Sequence, residues 1–236
     1  FDFAYQQSHN VVLETEIPDP LDSGFQQKLQ ARVRLTPPQT LSAQLDTPTL
    51  NALKRHLKSA NIPLLTIDGF KAGFAVTLLT TMTAKRAGIN GQGVDQYFYQ
   101  LATADKKSKH FLESVEFQLE LLASIGDGNE NALLARALKD LANFQQDFHK
   151  IRQAWRNGDT EQLKRLTSQP MLKQDPLSYQ RLIINRNHRW LAEIETFFSN
   201  SETEFLLVGV GHLVGQENLL DLLTQRGYQV SKLVLP

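Results

Sequence analysis

Three ionisable side chains stand where short apolar runs of the sequence end. Glu14 and Glu113 each close such a run, and His212 follows a third run after three residues. If the runs are parallel strands, their carboxyl ends meet at one edge of a sheet, where ligands bind in open α/β folds. Two carboxylates and an imidazole at that edge could activate water or hold a metal ion. The alternative is that the three residues are unrelated, because polar residues commonly mark strand ends.

The segment Val208–Gly215 carries the sharpest of these signals. Gly209 and Gly211 allow a tight turn immediately after a strand, so that His212 would lie near the positive end of the next helix. That position favours the neutral imidazole, which is the form that a metal ligand or a general base requires. The alternative is a glycine-rich turn with an incidental histidine. A dinucleotide site is excluded, because Val214 stands where its third glycine would be.

Further candidate residues lie on predicted helices. Arg186 and Asn187 precede Trp190 on a long helix, and the guanidinium could form a bidentate pair with a carboxylate or bind a polar substrate group. The alternative is a surface arginine whose stem packs on the tryptophan. Glu116 and Gln118 lie one turn into the helix that follows the second apolar run, from which they could support the site residues.

The composition excludes several classes of protein. The chain has 236 residues, with 25 Lys plus Arg, 25 Asp plus Glu and no cysteine. Zero net charge excludes a broad surface for nucleic acid or anionic membrane, because phosphate binding needs clustered excess Lys and Arg. The lack of cysteine excludes disulfides, thiolate nucleophiles and cysteine-ligated metals. No His-Glu-x-x-His or Gly-x-Ser-x-Gly motif occurs, and no apolar run approaches the ~20 residues of a membrane-spanning helix.

Short apolar runs alternate with longer patterns of helical periodicity, which predicts an α/β fold. The expected sheet is small and parallel or mixed, with large helical blocks at about 48–105 and 129–200 inserted between its strands. No linker divides the chain, so we predict one domain over residues 1–236. The predicted strands are Asn10–Glu14, Lys109–Glu113, Glu204–Gly209 and Gln229–Leu235. The main predicted helices are Gly24–Arg34, Thr47–Ala60, Asp68–Gly88, Val94–Thr103, Val115–Ile125, Asn131–Arg156, Asp159–Ser168, Leu177–Phe198 and Gly215–Arg226.

Five segments of the chain stand in a characteristic order: Val11–Glu14, Gly91–Phe98, Leu112–Gln118, Arg186–Trp190 and Gly209–His212. This order resembles the TraB/GumN family, which includes the TIKI metalloproteases and is similar to the erythromycin-esterase/ChaN-like fold. The resemblance extends from Val11 to about Leu233. It implies an α/β core with helical insertions and a site built from two Gly-x-x-His motifs plus acidic residues. Gly209–His212 is the second motif, and we expect the first motif and its strand to precede Phe1.

The resemblance implies a hydrolase whose cleft activates water. His212 and Glu14 would bind a divalent metal ion such as Mn, Co or Zn, or His212 would act as the base, with Glu14 and Glu113 as acid–base partners. Arg186 would orient the substrate or stabilise developing negative charge. TIKI-type proteases are metal-dependent, whereas the esterase relatives use histidine and glutamate without a metal. The expected substrate is a peptide or a small molecule, and nucleic acid is not an expected partner.

A second hypothesis is a non-enzymatic protein that binds a ligand, a haem-like molecule or a polysaccharide-export partner in the same cleft. Under either hypothesis, the resemblance favours an extracytoplasmic location, periplasmic or secreted. Hydrolysis that is abolished by the replacement of His212, with the fold unchanged, would favour the enzyme. Saturable ligand binding without hydrolysis would favour the second hypothesis.

Overall fold

The computed structural model describes residues 1–233 of the chain. The strands are β1 (Asn10–Thr15), β2 (Ser108–Glu113) and β3 (Glu204–Leu207). The helices are α1 (Asp2–Gln6), α2 (Ser23–Val33), α3 (Thr47–Ser59), α4 (Leu65–Asp68), α5 (Ala72–Arg86), α6 (Val94–Ala104), α7 (Val115–Ser124), α8 (Glu130–Asn157), α9 (Thr160–Leu166), α10 (Ser168–Gln174), α11 (Pro176–Tyr179), α12 (Asn185–Phe197) and α13 (Leu219–Gln225). A π-helical turn, Gln180–Ile184, joins α11 to α12, and 3₁₀ turns lie at Ser42–Gln44 and Val210–His212.

The three strands form a parallel sheet in the order β2-β1-β3. Asn10 at the start of β1 pairs with Ser108 on one side and Glu204 on the other, so the carboxyl ends of all three strands lie at the same edge. The apolar residues 11–13 of the central strand are fully buried, as expected for a strand that is covered on both faces. These observations confirm the predicted α/β class, with a small parallel sheet and large helical parts.

Four predicted elements differ from the structure. The helix predicted over Asp68–Gly88 begins only at Ala72, because Asp68 is the last residue of α4 and its carboxylate accepts hydrogen bonds from Ser42 instead of capping α5. The strand Gln229–Leu235 is wrong over residues 229–233, which pair with no other strand, and its last two residues lie outside the described part. The helix predicted from Gly215 begins only at Leu219, because Gly215 has a φ of +94° and Asn218 caps the helix. The long helix predicted over Leu177–Phe198 is interrupted by the π-helical turn.

The chain forms two compact units. The first contains Phe1–Ile17, Gln92–Ser114 and the residues from His149 onward, and therefore holds the whole sheet. The second contains Pro18–Gly91 and Val115–Phe148. Within the described residues, no helix is both long enough and apolar enough to cross a bilayer.

The second unit is built around an all-helical apolar core. Leu53 of α3, Leu79 of α5 and Leu134 of α8 are completely buried in it. Helix α5 approaches α7 closely at Gly73, where an added Cβ would lie 2.6 Å from the carbonyl oxygen of Leu122. Glycine is therefore required by helix packing at this position.

In the first unit, alternate strand residues pack on opposite faces of the sheet. Leu13 and Phe205 belong to a cluster with Phe98 of α6 on one face. On the other face, Leu206 packs against a cluster that contains Trp190 of α12. The second cluster places α12 next to the carboxyl ends of the strands, where the candidate site lies.

Candidate functional site

The carboxyl edge of the sheet brings four of the predicted residues together in the first unit. Glu14 lies near the end of β1, Glu113 is the last residue of β2, and His212 lies in the 3₁₀ turn after β3. Arg186, the second residue of α12, contacts all three of them. The structure therefore places both carboxylates and the imidazole around a single guanidinium group.

Every nitrogen atom of the Arg186 guanidinium donates a hydrogen bond within the protein. Nε donates to both carboxylate oxygens of Glu113, at 3.0 and 3.1 Å. Nη2 donates to Glu14 Oε2 at 2.7 Å and to Glu113 Oε2 at 2.9 Å. Nη1 donates to the carbonyl oxygen of Leu182 and to Nε2 of His212, each at 3.1 Å. All five N–H groups of the guanidinium thus have acceptors in the chain, and none is left for a substrate.

The π-helical turn before α12 belongs to this arrangement. In it, the N–H of Asn185 bonds to the carbonyl of Gln180, five residues back instead of four. Leu182, which supplies a carbonyl to Arg186, lies inside this turn. Turns of this kind often occur at functional sites. The guanidinium also lies over the ring of Trp190, 4.5 Å from its centroid, so an aromatic face covers the buried charge.

The hydrogen bonds of His212 define its tautomer. A guanidinium can only donate, so Nε2 must accept from Arg186 and the ring proton must be on Nδ1. Nδ1 then donates to Oδ1 of Asn187 at 2.6 Å. The amide of Asn187 is oriented by its own bond to the carbonyl oxygen of Glu217, at 2.7 Å. Both ring nitrogens of His212 are therefore engaged.

His212 is neutral at pH 7, as the sequence predicts, but the physical reason differs. Burial of the side chain is the main cause, followed by the neighbouring charge of Arg186, and together they lower the pKa of His212 to about 3. The glutamate at position 113 acts in the opposite direction and is outweighed. A helix end is not the cause, because α13 begins only at Leu219.

We expect the first unit to lose stability as the pH falls, because His212 stays neutral when folded. Its folded-state pKa of about 3 lies below the ordinary 6.5, so between these values the unfolded chain binds the additional proton. The free energy of unfolding should be lower by about 2 kcal/mol at pH 5 than at pH 7.5 from this group alone. The difference is measured by urea unfolding at both pH values, with tryptophan fluorescence as the signal, since Trp155 and Trp190 both belong to the first unit.

Two variants make this measurement specific to His212. H212Q should remove about 2 kcal/mol of the pH dependence. H149Q, which changes an exposed histidine of α8, should leave the pH dependence as it is in the wild type. An H212Q protein with the wild-type pH dependence would contradict the assignment of a buried neutral imidazole.

The two glutamates of the site differ in their exposure to solvent. The side chain of Glu113 is 3% exposed, and Nη2 of Arg189 also donates to it at 3.2 Å. The side chain of Glu14 is 23% exposed. Its Oε1 accepts the backbone N–H of Gly209 at 2.7 Å, while its Oε2 accepts from Arg186. Glu14 is therefore the site carboxylate that solvent can reach.

Asp95 is an acidic residue near the site that the strand-end pattern did not indicate. It lies in the first turn of α6 and is exposed to solvent. The pKa of Asp95 is raised, mainly because the surrounding protein removes water from its carboxyl group and secondarily because of the negative charge of Glu14. The sequence signal that could have identified Asp95 is its position in the resembling segment Gly91–Phe98.

The loop after His212 is held through its backbone carbonyls. Four consecutive carbonyl oxygens, those of residues 214–217, each accept a side-chain hydrogen bond. The donors, in the same order, are Ser168 Oγ, Asn218 Nδ2, Tyr179 Oη and Asn187 Nδ2. Because Asn187 also accepts from His212, this loop and the imidazole are fixed by the same amide.

Of the other predicted residues, two glycines lie at the turn that carries His212, and two polar residues lie in the second unit. An added Cβ at Gly209 would lie 3.3 Å from Glu14 Oε1, and one at Gly211 would lie 3.4 Å from Ile183 Cδ1. Glu116 and Gln118 lie in α7 of the second unit. There, Glu116 accepts a hydrogen bond from Lys28 Nζ at 2.6 Å, and this bond is the main cause of its lowered pKa.

The residues of the cluster do not fit a divalent metal ion. Metal ligands must offer lone pairs, but His212 Nε2 uses its single lone pair to accept from Arg186, and each oxygen of Glu113 already accepts two hydrogen bonds from Arg186 and Arg189. The positive guanidinium between them would also repel a second cation. In residues 1–233, no group of three or more His, Asp and Glu side chains is arranged to hold a metal. His212 likewise has no ring nitrogen available for a haem iron.

Comparison with known proteins gives one match. The sequence profile described as the TraB/PrgY/gumN family matches residues 1–232, almost the whole chain. No curated protein and no solved structure matches the chain.

Proposed function

The chain belongs to the TraB/PrgY/gumN family, and we propose that it is a hydrolase in which the carboxylate of Glu14 activates water. The observation that carries this proposal is the unequal exposure of the four clustered side chains. Glu14 is 23% exposed, whereas Arg186 is 9% and Glu113 and His212 are each 3% exposed. One carboxylate can therefore meet a water molecule and a substrate, while the other three groups hold it in place.

In this proposal, Glu14 takes a proton from water as the water oxygen attacks the carbonyl carbon of an ester or amide. Oε1 and Oε2 of Glu14 are fixed by Gly209 and Arg186, so the base is oriented before the substrate binds. The bond between the carbonyl carbon and the leaving group then breaks, and the leaving group takes up the proton that Glu14 received from water. Glu113, His212 and Arg186 act as positioning residues. The expected substrate is a peptide or a small ester or amide.

A hydrolysis screen with chromogenic esters and short peptides tests the proposal. We expect saturable hydrolysis of at least one substrate class, with the rate unchanged after metal chelation, since the Glu14 cluster does not fit a metal ion. A rate that depends on added Mn²⁺, Co²⁺ or Zn²⁺ would contradict this mechanism. Saturable ligand binding without hydrolysis of any substrate would favour the non-enzymatic alternative.

A further inference from the structure

Arg186 occupies the position among the site residues that a metal ion would take. Its guanidinium contacts Glu14 Oε2, both oxygens of Glu113 and Nε2 of His212 at distances of 2.7–3.1 Å. These are two carboxylates and one imidazole, a set of ligand types that Zn²⁺ also uses. We infer that the guanidinium of Arg186 is a built-in replacement for a divalent ion, which balances the charge of the two carboxylates without a cofactor.

The charges around the cluster show why a cation is required there. Glu14 and Glu113 stand at the ends of neighbouring strands, and burial of Glu113 makes its negative charge costly without a partner. His212 cannot supply positive charge, because both of its ring nitrogens are engaged as a neutral imidazole. Arg189 also reaches Glu113 with Nη2, but its side chain is half exposed, whereas that of Arg186 is buried between the two carboxylates. Arg186 is the cation that joins both carboxylates.

A guanidinium differs from a metal ion in ways that matter here. It cannot dissociate from the chain, it carries its charge at all accessible pH values, and it binds carboxylates in a planar fork. A metal ion would instead require ligand atoms at ~2.0–2.2 Å. The contacts of Arg186 are 2.7–3.1 Å long, which is typical of hydrogen bonds and longer than metal–ligand bonds. The positions of the carboxylates and the imidazole therefore match the larger organic cation.

The inference is tested by removing the guanidinium from the chain and returning it as a free ion. R186A should have a lower melting temperature than the wild type and should leave a cavity shaped for guanidinium. Guanidinium chloride at low millimolar concentration, far below denaturing levels, should raise the melting temperature of R186A in a saturable manner. The wild type should show no such rise.

R189A is the matched control for this rescue. Arg189 lies one turn further along α12 and also donates to Glu113, but it is half exposed, so its removal opens the site to solvent and leaves no closed cavity. Guanidinium should therefore not stabilise R189A. Zn²⁺, Mn²⁺ and Co²⁺, added to R186A in place of guanidinium, should not raise its melting temperature. A metal ion that stabilises R186A more than guanidinium does would overturn the inference.

A second measurement applies if R186A does not fold. Co²⁺ is titrated into the wild type and into E14Q, and the visible absorption of protein-bound Co²⁺ is recorded. We expect no absorption band in the wild type that E14Q removes. Such a band would place a metal on Glu14 and overturn the inference. Neither experiment uses a substrate, so the results stand whether or not the chain proves to be a hydrolase.

Discussion

E14Q is expected to lower the turnover number by about 10²–10⁴-fold, the range typical for the loss of a general base. Glutamine has nearly the same size as glutamate but cannot take a proton from water. Its side-chain oxygen could accept from either Gly209 or Arg186, which at present bond to separate oxygens of Glu14. Initial rates on the best substrate of the hydrolysis screen measure the change in turnover number. Melting temperatures show whether the variant is folded at the assay temperature.

Two further variants separate the chemistry of Glu14 from its structural role. E16Q changes an exposed glutamate two residues further along the chain, for which the described structure records no ion pair, and it should keep wild-type rates. E14D keeps the charge that pairs with Arg186 but retracts the carboxylate, so it should be more stable than E14Q and still slow. Turnover by E14Q within tenfold of the wild type would contradict the role of Glu14 as the base.

G215A is expected to destabilise the first unit by about 2–6 kcal/mol, the sum of a backbone and a packing cost. Gly215 has a φ of +94°, which side chains disfavour. An added Cβ would also lie 2.6 Å from Tyr179 Oη and 2.7 Å from Ser168 Cβ. These two residues donate to the carbonyls of residues 216 and 214, so the methyl group would displace two of the four donors that hold the loop.

G227A is a matched control for the backbone part of this cost. Gly227 has a φ of +91°, but nothing lies within 4 Å of an added Cβ. It should therefore lose only about 1–3 kcal/mol. The measurement is urea unfolding by tryptophan fluorescence at neutral pH. Equal losses for the two variants would show that the contacts of Gly215 with Ser168 and Tyr179 do not matter.

The strand ends could be predicted from the sequence because their signal is local. An apolar run followed by a polar residue marks the end of a buried strand, and this placed Glu14 and Glu113 at the correct ends of β1 and β2. The sequence also predicted a neutral His212, but it attributed the neutral state to a nearby helix end. A helix end is visible in a sequence, whereas burial and a neighbouring guanidinium depend on residues that are distant along the chain.

The contacts of Arg186 could not be predicted in the same way. Its pair with Glu14 joins residues 172 positions apart, and the periodicity of α12 gives no information about such partners. The π-helical turn that includes Leu182 has the same apolar spacing as an ordinary helix, so the pattern predicted one continuous helix over 177–198. The late start of α13 had a local signal in Asn218, a good N-cap residue, which the glycine-rich turn before it obscured.

The anchoring of residues 214–217 through carbonyl groups has an evolutionary consequence. Main-chain oxygens are the same in every amino acid, so substitutions such as Q216A would leave the hydrogen bonds of this loop in place. Three of the four donors lie outside the loop, in α10, α11 and α12. The shape of the segment that follows His212 is therefore encoded largely by Ser168, Tyr179 and Asn187, and selection on that shape would act at these distant positions.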